Sequence, residues 1–250
     1  MRYMGSKSRI AKEILPLILK NRTKDQFLVE PFCGGCNITS HVTGNRIAND
    51  NNYYLIQMLL GLTNGNVGIE DITKEVYSSA RDDFNSKTNE NFNDFEIGWI
   101  GWMGSANGRF FDGGYSGISK TKIGTERNYI REAISNLKKQ LGSLNGVNFC
   151  FGDYRDLKIP EESIIYCDIP YQNTKQYSTS SGFDHMAFWD WCRVQKYFGH
   201  KVYVSEYNAP EDFECIWEKS VKSSLSANGI IGGNKVSTER LYKGNITSII

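Results

Sequence analysis

No stretch of this chain approaches the roughly 20 consecutive apolar residues that a bilayer-spanning helix needs, and no signal-peptide pattern opens it. The chain therefore reads as cytoplasmic, with no membrane partner. Histidine is scarce: His41, His185 and His200 are the only three. They are scattered, no Ser/His/Asp or Cys/His set suggests itself, and catalysis should not need histidine. Cys33-Gly34-Gly35-Cys36 has zinc-knuckle or redox spacing, but no second CxxC and no paired histidines complete a zinc site, so no metal is expected. The six cysteines (Cys33, Cys36, Cys150, Cys167, Cys192 and Cys215) are read as reduced thiols, mostly packed inside apolar strands or helices. An excess of charge is missing too, with 29 Lys and Arg against 28 Asp and Glu for a net charge of +1. That balance neither supports nor excludes nucleic acid, because a DNA-binding protein can confine its positive charge to one face. Internal repeats and low-complexity linkers are also absent. What remains, 250 residues of 40% hydrophobic content, is enough for one large α/β domain, or one domain with an insertion.

The most informative segment that is present is Cys167-Asp168-Ile169-Pro170-Tyr171, which ends the apolar run Ser163 to Tyr166. Ile169 precedes a proline and is biased toward extended backbone, which holds its carbonyl beside the Asp168 carboxylate. Two acceptors and one flat ring suit a planar group with an exocyclic NH2, such as a nucleobase: the acceptors take its hydrogens and Tyr171 stacks on its face. The same residues also make a good turn after a strand, and a second segment is needed to decide.

That second segment is Phe27 to Ile38, where an apolar strand runs into Glu30-Pro31-Phe32-Cys33-Gly34-Gly35. A glycine pair at the carboxyl end of a strand lets backbone approach a cofactor. Asp50 follows the next strand, Arg46 to Asn49, where Rossmann-like folds bind ribose hydroxyls. The loop lacks both the G-x-G-x-x-G fingerprint and the Gly-Lys-Ser/Thr ending of a phosphate loop. A nucleoside cofactor without a pyrophosphate is implied.

Along the chain, Ser8 to Leu19 reads as a helix that contains Pro16, and a further helix is expected after Asn37. Tyr53 to Leu62 and Arg127 to Leu141 read as helices, and Val147 to Phe151, Ser163 to Cys167 and Lys201 to Ser205 as strands. Ile216 to Val221 and Leu241 to Ile249 are expected to form a final hairpin. Between them, residues 65–125 are rich in glycine, asparagine and aromatics and show no strand-like alternation. Trp99, Trp102, Phe110, Phe111 and Tyr115, with Arg109, Lys120, Lys122, Arg127 and Arg131, could stack on bases and contact phosphates. Packing a small helical core is the commoner role for any single aromatic among them.

Taken in order, these segments closely resemble the Dam-type DNA adenine-N6 methyltransferases. The resemblance rests on Arg2-Tyr3-Met4-Gly5-Ser6-Lys7, on Glu30-Pro31-Phe32-Cys33-Gly34-Gly35, on Asn49-Asp50-Asn51-Asn52, on Asp168-Ile169-Pro170-Tyr171, and on Ser224 to Gly229 followed by Glu239-Arg240-Leu241-Tyr242. Two positions depart from the family pattern: Cys36 stands at a usual glycine and Ile169 at a usual proline. The isoleucine offers the same backbone carbonyl, whereas Cys36 would weaken cofactor binding if its backbone needs positive φ.

The resemblance implies an α/β fold, a Rossmann-like methyltransferase mixed sheet flanked by helices, with a smaller, mainly helical target-recognition insert. Residues 1–64 and 126–250 would form the catalytic domain and 65–125 the insert. It implies S-adenosylmethionine as cofactor, with S-adenosylhomocysteine as product, and places Asp50 on the ribose, Lys7 near the methionine carboxylate, and Tyr3 and Phe32 along the pocket. Glu30, Pro31, Gly34 and Gly35 would shape that pocket, and Asp153 would accept from the cofactor's adenine. Asp168, Ile169, Pro170 and Tyr171 would hold a flipped-out adenine, with Asp168 and the Ile169 carbonyl steering N6 toward the methyl group. Arg2, Asn107, Arg109, Ser226 and Asn228 are the expected contacts to double-stranded DNA, and a monomer is expected. Methylation of RNA adenine and a catalytically silent DNA-binding relative are the alternatives. A restriction-modification role, a phage enzyme and a host enzyme would look alike.

Overall fold

In chain order the structure runs α1 (Ala11–Ile18), β1 (Leu28–Glu30), β2 (Arg46–Asp50), α2 (Tyr53–Thr63), α3 (Lys74–Ser86), α4 (Asp94–Gly104), β3 (Ile118–Lys120), β4 (Glu126–Asn128), α5 (Tyr129–Leu141), β5 (Asn148–Phe151), β6 (Ile164–Asp168), α6 (His185–Tyr197), β7 (Lys201–Ser205), β8 (Phe213–Lys222) and β9 (Val236–Gly244). This computed structural model describes residues 1, 3, 5–120, 124–172, 182–222 and 236–245.

Strand alternation builds the two layers. Along β6, Ile164 and Tyr166 turn to one face and Ile165 and Cys167 to the other, as a period of two requires, and all four are fully buried. The first face meets the apolar side of α1 through Ala11, Ile14, Leu15 and Ile18, with Leu28, Tyr203 and Leu241 beside them. The second meets Phe188, Trp189 and Cys192 of α6, together with Val29, Ile47, Val202 and Val204. Burial on both sides explains why these strands read as near-continuous apolar runs.

The seven-stranded sheet has the order β5-β2-β1-β6-β7-β9-β8. Its first five strands are parallel, and β9 runs antiparallel between β7 and β8. It is the mixed Rossmann-like sheet that the sequence implies. After β1 the chain moves outward to β2 and β5, and from β6 it moves to the opposite side. The order therefore reverses between β1 and β6, and the carboxyl ends of these two strands mark the crevice position at which open α/β sheets bind ligands.

Residues 65–125 supply α3, α4 and β3. Ile97, Trp99, Ile100, Trp102 and Met103 of α4 share one buried cluster with Leu55, Met58 and Leu59 of α2 and with Ile130, Ile134 and Leu137 of α5. A Cβ at Gly98 would lie 2.2 Å from the Tyr54 carbonyl oxygen, so glycine is what lets α4 lie against α2.

Several boundaries differ from the sequence reading. No α-helix follows Asn37; a 3-10 turn at Thr39–His41 stands there instead. The Thr39 N–H is taken by the Glu30 carboxylate rather than by a helical carbonyl, and Thr-Ser-His-Val is a poor helix-forming run. The first helix begins at Ala11, after a 3-10 turn at Lys7–Arg9, and contains Pro16. Helix α5 starts at Tyr129 because Asn128 caps it; residues 126–128 are a strand paired with 118–120, too short to show alternation. The final hairpin pairs Phe213–Lys222 with Val236–Gly244, extending through polar residues that an apolar count passes over. Among the described residues, no helix is long and apolar enough to cross a membrane.

Candidate active site

The crevice is floored by the loop after β1. Gly34 has φ +45° and its N–H donates to Asp50 Oδ2 at 2.9 Å, while the Asn52 N–H donates to Asp50 Oδ1 at 2.9 Å. Asp50 thus ends β2 as a buried carboxylate whose pKa burial raises, against those backbone bonds. Tyr3 lies on this loop: a Cβ at Gly34 would come within 2.7 Å of Tyr3 Cε1, and one at Gly35 within 2.8 Å of Tyr3 Cβ. The Tyr3 ring stacks on Trp102 at 5.0 Å. Cys36 has φ +53° and is fully buried, so the family's usual glycine is replaced where the backbone is left-handed.

Asn49 ties the neighbouring loops together. Its Nδ2 donates to the Pro31 and Gly152 carbonyls, each at 3.0 Å, and its own carbonyl accepts from the Cys33 N–H at 2.8 Å. Glu30 is buried beneath the loop and accepts from the N–H and hydroxyl of Thr39. Burial pushes its pKa up to about 8 in spite of those bonds. Phe32 packs on Tyr154 at 5.0 Å and edge-on to Phe183 and Phe188. Asp153 caps the turn after β5 and pairs with Arg155 at 2.7 Å, and the Arg155 hydrogen bonds hold its pKa low.

The other wall is the turn after β6. Lys7 Nζ lies 2.8 Å from Asp168 Oδ1, 3.7 Å from Glu239 Oε2 and 4.6 Å from the centre of the Tyr171 ring. Tyr171 donates its hydroxyl to Glu239 Oε2 at 2.7 Å. One cation is therefore shared by two carboxylates. Burial works against the Lys7 charge, but Asp168 and then Glu239 outweigh it and hold its pKa high. Asp168 receives only part of that cation, and burial leaves its pKa above the usual carboxylate range. Ile169 buries its side chain in the α6-side cluster. Pro170 offers its carbonyl to His185 Nε2 at 2.9 Å, which fixes the proton on that nitrogen, since a carbonyl only accepts. The Gln172 N–H donates to Glu206 Oε2 at 3.0 Å.

The structure thus brings together Lys7, Asp168 and Tyr171 in one cluster and Tyr3, Gly34, Gly35 and Asp50 in another. Asn107 is exposed with φ +59°, and Arg109 is partly exposed, both at the turn that follows α4. Trp99, Trp102, Phe110 and Phe111 are buried, so core packing describes them rather than exposed stacking on bases. Arg2, Lys122, Ser226 and Asn228 lie outside the described residues. Four residues beside the site carry no role in the sequence reading: Asn49 and Glu239, present there only within motifs, and His185 and Glu206. Glu206 stands just past the end of β7, so the rule that singled out Asp50, an acid ending a strand, would have found it. All six thiols are free, with Cys215 exposed. Among the described residues, no three His, Cys, Asp or Glu side chains are grouped to hold a metal ion.

No curated protein matches this chain. Among solved structures it is similar to SMU.472, assigned as a methyltransferase and complexed with SAH, with 12% identity and a TM-score of 0.38 over 100% of this chain and 55% of that one. It is also similar to a Listeria monocytogenes protein assigned to the class I S-adenosylmethionine-dependent methyltransferases, with 8% identity and a TM-score of 0.40 over 98% of this chain and 61% of that one. The chain therefore spans between half and two thirds of the length of these two proteins. A family model matches across residues 3–212, which take in the glycine loop, Asp50 and the Asp168 turn, and the chain belongs to the D12 class N6 adenine-specific DNA methyltransferases.

Proposed function

We propose that this protein transfers a methyl group from S-adenosylmethionine to N6 of an adenine flipped out of double-stranded DNA. The observation that carries this reading is the half-buried Asp168 carboxylate at the end of β6, with the Tyr171 ring beside it and the Asp50-braced glycine loop across the crevice. Asp168 and the Ile169 carbonyl accept the two N6 hydrogens, favouring a more tetrahedral nitrogen, and Tyr171 stacks on the base. Asp168 is also the nearest base for the proton that N6 loses.

The residues across the crevice fit the cofactor. Asp50 is a buried acceptor where ribose hydroxyls are met in such folds. The Trp102 indole N–H, buried beside Tyr3, has no acceptor among the described residues, and a buried donor of this kind costs about 1–3 kcal/mol until it is paired. Lys7, Tyr3, Phe32 and Asp153 would complete the pocket. S-adenosylmethionine, when bound, supplies an electrophilic methyl group and leaves as S-adenosylhomocysteine. The carboxylates of Asp168 and Glu239 outnumber the Lys7 cation, which suits a site that receives a positively charged sulfonium.

Residues 65–125 are read as the target-recognition insert between the two parts of the catalytic domain, 1–64 and 126–250. Asn107 and Arg109, on its surface, support that reading; Arg2, Ser226 and Asn228 remain candidates on sequence alone. A DNA substrate supports the cytoplasmic expectation, and the enzyme is taken as a monomer, which light scattering tests. The decisive experiment follows labelled methyl transfer to unmethylated duplex DNA, single-stranded DNA and RNA. Product in duplex DNA, identified as N6-methyladenine, is expected; activity confined to RNA overturns the reading.

A further inference from the structure

Glu239 lies on β9, opposite Lys219 of β8. Its Oε2 accepts from the Tyr171 hydroxyl at 2.7 Å and stands 3.7 Å from Lys7 Nζ. Three distant parts of the chain thus meet at one carboxylate oxygen: the turn before α1, the turn after β6, and β9. We propose that Glu239 is a positioning residue for methyl transfer, orienting the Tyr171 ring and drawing part of the Lys7 cation away from Asp168. The inference rests on the function proposed above.

An aromatic ring is a useful stacking platform only if its plane is fixed. Tyr171 is fixed at its far end by a charge-assisted hydrogen bond to Glu239, and along its side by Tyr207 at 4.6 Å and 77°. Without Glu239 the hydroxyl loses that anchor, and the ring can turn about its two side-chain torsions. Glu239 also acts through its charge. With Glu239 in place, the Lys7 ammonium is shared by two carboxylates; without it, the whole cation falls to Asp168. An Asp168 oxygen bound tightly to Lys7 is a poorer acceptor for an N6 hydrogen. Both effects slow the same step, and neither requires Glu239 to touch substrate. Nothing about the sequence around Glu239 announces such a role, since Ser237, Thr238 and Arg240 give it the look of a solvated strand.

The test uses the full chain, S-adenosylmethionine and unmethylated plasmid DNA. Glu239→Ala is expected to lower kcat by about 10- to 100-fold, the scale of a small misplacement, with KM for DNA changed far less. Glu239→Gln retains an acceptor for the Tyr171 hydroxyl and should recover part of the loss. On a Tyr171→Phe background, Glu239→Ala should cost much less than it does alone, because coupled residues are not additive. An unchanged kcat in Glu239→Ala, or full additivity with Tyr171→Phe, overturns the proposal. A second measurement does not depend on activity. Ultraviolet titration of tyrosinate, taken as the difference from Tyr171→Phe, should show Tyr171 ionising at lower pH in Glu239→Ala, because burial and then the Asp168 and Glu239 charges hold that phenol high. An unmoved titration overturns the pairing itself. If the wild-type chain transfers no methyl group to DNA while the titration moves, the function reading fails and the Glu239–Tyr171 pairing stands.

Discussion

The Lys7 ammonium lies 2.8 Å from the Asp168 carboxylate and 4.6 Å from the centre of the Tyr171 ring. That is where the sequence reading puts the exocyclic amine of a target base. On the proposed reading a protein amine and a substrate amine would compete for one acceptor, and the chemistry would depend on how that competition is balanced.

Removing the acceptor is the simplest test. Asp168→Ala should reduce methyl transfer by about 10²- to 10³-fold or more, the range for loss of one preorganised polar partner of a transition state. Binding of S-adenosylmethionine, measured by calorimetry, should survive. Retained transfer would remove Asp168 from the role assigned to it.

The acid side of the pH profile should report the same carboxylate. Burial raises the Asp168 pKa and Lys7 pulls it back, so the ionised, accepting form is lost as pH falls through a value above the ordinary carboxylate range. Lys7→Met removes the opposing charge and should move the acid limb of kcat/KM to higher pH. A limb that stays in place would show that another group controls it.

Glu30 links the site to stability. Its pKa is raised from an ordinary 4.5 to about 8 in the folded chain. Between those values the folded state holds a proton that the unfolded state has released, so stability declines as pH rises from about 4.5 to about 8 and levels off above. The slope from this one group is at most about 1.4 kcal/mol per pH unit. Glu30→Gln keeps an acceptor for Thr39 and should flatten the decline, as read by urea denaturation across that window. An unchanged slope would place the titration elsewhere.

The glycine loop makes a conformational prediction. Cys36 occupies φ +53°, a region that costs a residue other than glycine about 1–3 kcal/mol. Cys36→Val, branched at Cβ, adds to that strain and should be less stable than the parent. Cys36→Gly should stay within about 1 kcal/mol of the parent, the relieved strain offsetting lost burial and a freer unfolded chain. Gly34→Ala should be worse than Cys36→Gly, because its Cβ would also strike Tyr3 at 2.7 Å. Thermal melts that rank these variants otherwise would refute the strain argument.

The parts of the fold that were legible are those whose sequence signal is local. β1, β2, β6 and β7 are buried runs, and the acids that end them, Asp50 and Asp168, could be picked out from position alone. The turn at Thr39 was misread because its backbone donor is satisfied by Glu30, nine residues earlier, a bond that no helical periodicity records. The sequence pattern takes residues 127 and 128 into the following helix because a three-residue strand leaves no alternation to see. The aromatics of α4 carried two meanings in the sequence, and burial of Trp99 and Trp102 favours the packing one. The sequence around Glu239 shows a motif and no role, since its partners stand at Lys7 and Tyr171 and only the folded sheet brings them together.

The placement of β9 between β7 and β8 sets an order of events during synthesis. Lys7 is made before the parallel strands and Glu239 after them, so β1, β2, β5, β6 and β7 are all synthesised between the two halves of that ion pair. β8 is made before β9, yet among the described residues its neighbour in the sheet is β9 alone; until that strand arrives, β8 lacks its partner and β7 remains an open edge. Closing so long a loop is slow compared with forming local helices. The parallel core can assemble first, but the anchor of Tyr171 arrives with β9, so until that strand is made the ring lacks its hydrogen bond to Glu239.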